Sequence, residues 1–473
     1  MIRFYKYVFI AALMLCAPYA YGTPGETLQE VTLTRVLTST SNHHPQVQAA
    51  LAALDGAKGT LLSAQGGFDP TISLNGQWYG SGYYDGSRAF SSELSIPLET
   101  ASSNLFVGGR NSRGEFPIYE DQYKTLRDGE VGAGIRLSLL RGNLIDRRRT
   151  DLAVGELQLE QQEQELQAVE LFLQQEAALA FWEWSVRKHQ IRVFQELLEV
   201  SERRQSQFEE QVKLGQLARI EALDNSRTIL NRREKLLEQE QTFQQAAQKL
   251  SLFLRDESGD PVYASEDMKS VLPQPLKVIP EYRAKLEKAI KERPDIKALT
   301  TQLETLERER SLLENNLLPA LDLETAVTRD YGEGDASREG TEWKGMLTFE
   351  VPLYRRTAKG KLGEVNARIR ETRQELRLIR DRLRALSRSL LEILERSYSQ
   401  YQVLKDDVSI TKELEEGEFE KFQAGASNLM LVAMRELTTA GVRQQKLDSL
   451  LTNRAAFLQL VALVGEQESF GKQ

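Results

Sequence analysis

The sequence predicts an α+β protein of two internal repeats, each joining alternating strands to a helical hairpin longer than a globular domain. Three observations predict it. Residues 156–214 contain neither Gly nor Pro and run into Gly215. An unbroken helix there would be about 90 Å long, where globular helices average roughly 11–12 residues. Residues 364–416 form a second such run, with Leu376, Ile379, Leu383, Leu386, Leu390 and Ile393 spaced three and four apart. A seam of that kind reads as coiled coil. The third observation is a constant offset. Gln164-Glu165-Leu166 matches Gln374-Glu375-Leu376, Gly215 matches Gly425 and Leu250 matches Leu460, all at 210. Pro45 against Pro294 and Pro70 against Pro319 both give 249, so the first copy holds 39 additional residues between Pro70 and Leu152.

Taken in order, residues 1–22 read as a secretory leader: Arg3 and Lys6, an apolar stretch from Val8 to Cys16, and Ala20-Tyr21-Gly22 for cleavage. Lipidation at Cys16 is disfavoured by the bulky Leu15 before it. The first repeat is read over 23–255. A short helical pattern at Leu33, Val36 and Leu37 precedes a helix that starts at Pro45 and stops near Gly66-Gly67. Strands fall within 71–140, and a helical hairpin over 150–255 turns at Gly215. The clearest strands alternate Ile72, Leu74 and Trp78 with Ser73, Asn75 and Gln77, and Val131, Ile135 and Leu137 with Gly132, Gly134 and Arg136; Leu94, Ile96 and Leu98 alternate with Glu93 and Ser95, and a weaker strand is read at Leu105 to Gly108. Residues 256–291, rich in proline, form a linker. The second repeat, 292–465, has a helix, a β-hairpin at 320–352 and a helical hairpin over 360–465 turning at Gly425, with 466–473 as a tail.

The alternation fits a transmembrane barrel and a half-buried soluble sheet equally well. No segment after the leader reads as a transmembrane helix, so entry into a bilayer would have to be by strands. The 39-residue excess either adds a strand pair or forms an external excursion, and the polar, turn-rich Asn111 to Glu130 favours the excursion. Each copy then contributes two strands. Four strands cannot close around a pore, whereas three chains supplying twelve can.

Composition excludes more than it selects. The net charge of −8 becomes about −10 without Arg3 and Lys6, spread over helices of mixed sign, which argues against a nucleic-acid partner. His43, His44 and His189 are the only histidines, and no acidic group at ligand spacing joins them, so no metal is expected. No nucleophile triad, phosphate loop or paired carboxylate stands out. Neither an enzyme activity nor a cofactor is expected. Trp182, Trp184, Tyr398 and Tyr401 read as packing residues. Arg147, Arg148 and Arg149 crowd a helix N-terminus, where cations require a compensating contact.

The two strand–helix copies, Asn42-His43-His44-Pro45-Gln46-Val47 with its echo at Pro294, the tips Gly215 and Gly425, and the stretch Leu139 to Arg149 together resemble the TolC family of outer-membrane efflux and secretion channels. The resemblance implies a long coiled-coil α-helical barrel continuous with a trimeric transmembrane β-barrel in the outer membrane, and a helical tunnel in the periplasm. It implies a passive exit duct for small molecules or proteins, working with a periplasmic adaptor and an inner-membrane transporter. The tips Gly215-Gln216 and Gly425-Ala426 would then meet the adaptor. Some members close the periplasmic end with acids, and Glu221 stands at a matching position with Asp224 one turn on. The second copy has Leu431 and Met434 instead, implying an apolar closure there. A periplasmic coiled-coil structural or adaptor protein without a barrel is the alternative; such proteins usually carry a single hairpin.

Overall fold

The computed structural model describes residues 30–80, 82, 86–100, 102–116, 123–277, 280–465 and 470. The leader at 1–22, with Cys16, lies outside them, as does most of the 466–473 tail.

Helix α1 (Leu33–His43) leads into α2 (Pro45–Gln65), with Pro45 in the first turn, where its missing N–H is no loss. His44 caps α2, its Nδ1 accepting from Gln46 N at 3.2 Å, and its ring stacks on Phe253 with centroids 5.6 Å apart. Four strands follow: β1 (Thr71–Trp78), β2 (Arg88–Pro97), β3 (Ser103–Arg113) and β4 (Gly129–Ser138). Then come the 67-residue α3 (Arg147–Lys213) and its return α4 (Arg219–Ser251). After α5 (Pro280–Glu292), the order helix, strands, long helix, returning helix recurs. Its elements are α6 (Pro294–Asn315), β5 (Ala320–Tyr331), β6 (Thr341–Glu350), the 68-residue α7 (Arg356–Gln423) and α8 (Leu429–Val464).

The helical part is four helices across in each of two tiers. Next to the strands the order is α2–α3–α6–α7; towards the tips it is α4–α3–α8–α7. Thus α3 lies inside the array and α7 at its edge. The main core gathers where the two tiers meet, around Trp182, Trp184, Phe243, Leu250, Leu394, Phe457 and Leu460. The tryptophans are packing residues, fully buried. Around this level the segment between the repeats wraps the bundle through its backbone. Trp184 Nε1 donates to Ala264 O at 3.3 Å, Ser185 Oγ to Val271 O at 2.8 Å, and Asn453 both accepts from Leu276 N at 2.8 Å and donates to Leu276 O at 3.0 Å. The linker is therefore a belt with a helix, α5, in its second half.

Three readings need correction. The 39-residue excess is not an excursion: β2 and β3 are a full strand pair, and all six strands form one antiparallel sheet in the order β1-β2-β3-β4-β5-β6. The polar stretch that suggested a loop covers the end of β3 and the segment before β4, and Asn111, Ser112 and Arg113 still pair with β2. The second concerns α8, which is long and apolar enough to cross a bilayer, with a mean hydropathy of 1.3 in its most apolar window. That window is 67% buried, so its apolar residues serve the core. The third is the seam of α7. Leu376, Leu390 and Leu404 are buried, but Leu386 and Ile393 are exposed, and the buried stripe continues through Leu391 and Leu394 and takes in Thr372, Ser387, Ser397 and Thr411. These small side chains satisfy their hydroxyls on their own helix, Ser387 Oγ donating to Arg384 O at 2.8 Å and Thr411 Oγ1 to Asp407 O at 2.8 Å.

Candidate functional site: a two-faced sheet and two helical tips

Strand pairing puts directly opposed residues on the same face, so the register sorts every side chain of the sheet. One face collects Ser73, Asn75 and Gln77, then Glu93, Arg110, Glu130, Arg136, Asp322, Glu324, Lys344 and Glu350. These groups pair with one another. Arg136 donates to Glu93 at 2.7 and 2.9 Å and to Glu324 at 3.0 Å, linking β2, β4 and β5 in one ionic chain, while Glu130 accepts from Arg110 and, at 2.8 Å, from Lys344. Between its carboxylates the Arg136 guanidinium lies 4.1 Å from the centroid of the Phe106 ring. Gly134 makes room for that ring, since a Cβ there would sit 2.3 Å from it.

The other face is apolar: Ile72, Leu74 and Trp78; Phe90, Leu94 and Ile96; Leu105 and Val107; Val131, Ile135 and Leu137; Leu321, Leu323 and Val327; Trp343, Leu347 and Phe349. Among the described residues no α-helix packs on it, and Trp343 is 82% exposed. A soluble half-buried sheet would have covered this face first, because burying each such side chain is worth roughly 1.5–3 kcal/mol. Trp78, Phe90 and Trp343 each stand seven residues from the helix-side end of their strand, forming one aromatic level. Strands of 8–12 residues bearing an apolar outer band edged by aromatics meet the requirements of a bilayer-spanning sheet.

At the opposite end both long helices close with the same cap. Gln216 N donates to Gln211 O at 2.9 Å and Ala426 N to Lys421 O at 2.8 Å, six-to-one bonds made possible by Gly215 at φ 73° and Gly425 at φ 72°. The two tips adhere through Phe208, Ala222 and Leu429, with the Phe208 and Phe422 rings 6.3 Å apart. Gly215, Gln216, Gly425 and Ala426 thus lie together at one end of the molecule. Glu221, half-buried, and Asp224, exposed, lie in the first turns of α4, and Leu431 and Met434, both exposed, in those of α8. The acids and the apolar pair are on different helices with α3 between them.

A group that sequence reading missed lies a few turns from the tips. Arg204 of α3 and Arg232 of α4 both donate to Glu436 of α8, and all three are buried. Arg232 also donates to Leu197 O at 2.7 Å. Burial pulls the Arg232 guanidinium below its usual range against the pull of Glu436. No periodicity announces such a triad; only the approach of three helices does. The arginine cluster at the start of α3 is compensated as expected: Arg149 Nε meets Asp146 at 2.6 Å, Arg147 pairs with Asp151 and Arg148 reaches Asn104. Among the described residues no cluster of three or more potential metal ligands occurs.

Residues 286–466, the second repeat with part of α5, match the family Outer membrane efflux protein. Over that stretch the chain is similar to outer membrane efflux proteins. Solved structures carry the same fold over nearly the whole chain. A CusC structure is 14% identical, with a TM-score of 0.64 over 94% of this chain and 95% of that one. The CmeC outer membrane channel of Campylobacter jejuni is 11% identical, with a TM-score of 0.65 over 92% and 85%. The open state of the MtrE outer membrane channel of Neisseria gonorrhoeae is 14% identical, with a TM-score of 0.64 over 92% and 88%. Among curated proteins none matches the sequence. The matching family is one of outer membrane efflux proteins, and CmeC and MtrE are outer membrane channels.

Proposed function

We propose that three copies of the chain assemble into a continuous passive conduit, the strands closing a barrel across the outer membrane and the helices a tunnel through the periplasm. The observation that carries this reading is the sheet itself, apolar and uncovered on one face, polar and ion-paired on the other. Such a sheet is stable only with lipid on one side and water on the other. The helices support it laterally. The edge helix α4 exposes Ile220, Leu223, Leu230 and Leu237, and the edge helix α7 exposes Val403, Ile410 and Leu414. Among the described residues neither stripe has a partner, and each would meet the other on a neighbouring copy.

In this reading the tips at Gly215-Gln216 and Gly425-Ala426 dock a periplasmic adaptor, which links the duct to an inner-membrane transporter that selects small molecules or proteins for export. Glu221 and Asp224 line the closed entrance, six carboxylates in a trimer, attracting cations and repelling anions. Leu431 and Met434 complete the closure as an apolar constriction. The test is extraction from outer-membrane fractions followed by native mass measurement and planar-bilayer recording. A trimer that conducts, and that a multivalent cation blocks from the periplasmic side, is expected. Chains recovered from the soluble periplasm would overturn the duct, and unchanged block in Glu221→Gln/Asp224→Asn would remove the acidic entrance alone.

A further inference from the structure

The strand pair β2–β3 gives each chain six strands beside four helices, and we propose that three copies therefore close an eighteen-stranded barrel, β6 of each pairing antiparallel with β1 of the next. This rests on the trimeric reading above, but its argument comes from the sheet.

Direction comes first. Neighbouring strands alternate, so β1 runs away from the helices and β6 runs back. Set side by side on two copies, these edges are antiparallel, and both are exposed along nearly their whole length. Unpaired edges are not tolerated in a bilayer, so closure must use them.

Slope comes second. Following directly opposed residues across the sheet from Thr71 at the base of β1 leads through Ser95, Phe106, Gly134 and Ala326 to Lys344. Lys344 is six residues above Glu350, the base of β6. Six residues rise about 20 Å along a strand while five strand spacings cover about 24 Å across it. The strands are therefore inclined by about 40°, inside the roughly 35–45° that barrels require.

Arc length comes third. Four helices at about 10 Å spacing span roughly 40 Å of circumference per chain. Six strands inclined by about 40° span roughly 38 Å, whereas four would span only about 25 Å. With six strands the barrel and the helical tunnel meet at the same radius, and eighteen strands lie in the size range that encloses an aqueous channel.

Finally, the added pair is bound into the sheet on both faces. The Glu93–Arg136–Glu324 chain ties β2 to β4 and β5, and Leu94, Ile96, Leu105 and Val107 continue the apolar face of Ile135 and Leu323.

Cysteine pairs test the closure. Face parity allows only even shifts between β6 and the neighbouring β1; the two that preserve a tilt of about 35–43° place Asn75 opposite Met346 or Thr348. In a Cys16→Ser background, Asn75→Cys combined with Met346→Cys or with Thr348→Cys should oxidise to a covalent ladder ending at three chains for one of the two pairs. Asn75→Cys with Glu342→Cys should give at least tenfold less. A separate measurement addresses β2–β3: nitroxides at Leu94→Cys and Leu105→Cys should be relaxed by oxygen and shielded from an aqueous nickel complex. A native mass of three chains with no cross-link at any even position from Glu342 to Glu350 would overturn the eighteen-strand closure and leave the trimeric duct standing. Cross-links in an assembly of any other mass would overturn the trimer and with it the strand number. Nickel access at Leu94 and Leu105 would remove β2–β3 from the bilayer.

Discussion

Val193 on α3 and Val403 on α7 are the same side chain at the same offset of 210, yet one is 4% exposed and the other 67%. Val193 packs with Phe194, Leu197, Ala440 and Leu447; Val403 faces outward from the edge of the array. The difference is one of position. Helix α3 has a neighbour on both sides and buries 21 residues, whereas α7 has one flank open and buries 11. The two long helices have thus divided the labour, one holding the chain together and the other presenting an apolar seam on its open flank. The periodic pattern of α7 overstates the helix's own core because part of that pattern belongs to this outer seam.

The largest loss is expected at the buried triad, which exists only where α3, α4 and α8 converge. Glu436→Ala leaves the buried Arg204 and Arg232 without their counter-charge and should lower stability by about 3–5 kcal/mol, read from the thermal midpoint in detergent. Its counterpart 210 residues earlier is Ser226, whose hydroxyl only bonds back to Ala222 O. Ser226→Ala should cost less than about 1 kcal/mol. Similar losses from the two would mean that the interior and the edge are not energetically distinct.

Next in size is the valine pair itself. Val193→Ala should cost about 1–3 kcal/mol, and Val403→Ala less than about 0.5 kcal/mol within the chain. Val403→Asp should leave the chain folded but reduce recovery of the proposed trimer on native gels; a full yield of trimer would place the lateral contact elsewhere. Smaller still is the tip comparison. At Gly215 and Gly425 an added Cβ meets nothing within 4 Å, so only the positive φ penalises a side chain. Gly215→Val and Gly425→Val should each cost about 1–2 kcal/mol and by the same amount. If export fails in both with trimers intact, the tips carry a partner as well as a turn.

The smallest expected effect concerns His44, which has no histidine counterpart, Arg293 preceding Pro294 in the second copy. Burial, aided by the nearby Arg255, holds its imidazole below the usual histidine range. The folded chain therefore resists a proton that the unfolded chain accepts. Its contribution is complete above about pH 6.5 and is lost as the pH falls from there through the depressed folded value. Acidification should lower the thermal midpoint more in the wild type than in His44→Asn, and equal slopes would show that His44 is solvated.

How much of this was legible beforehand follows from the range of the interactions involved. The long helices, the start at Pro45, the turns at Gly215 and Gly425 and the doubled order depend on neighbours within a few residues, so proline, glycine and periodicity were enough to place them. The alternation within β1 and β4 was equally plain. Other features were not encoded locally. That β2 and β3 join the sheet depends on pairing, and in the Asn111 to Arg113 segment polar side chains are compatible with either a loop or a strand. Which face of a strand meets lipid depends on what else the chain has available to cover it. The Arg204–Arg232–Glu436 triad joins residues separated by up to 232 positions and leaves no periodic trace. The contrast between Val193 and Val403 is the plainest case. A side chain and its neighbours in sequence specify the helix it sits on, but only the packing of that helix among the others specifies whether water reaches it.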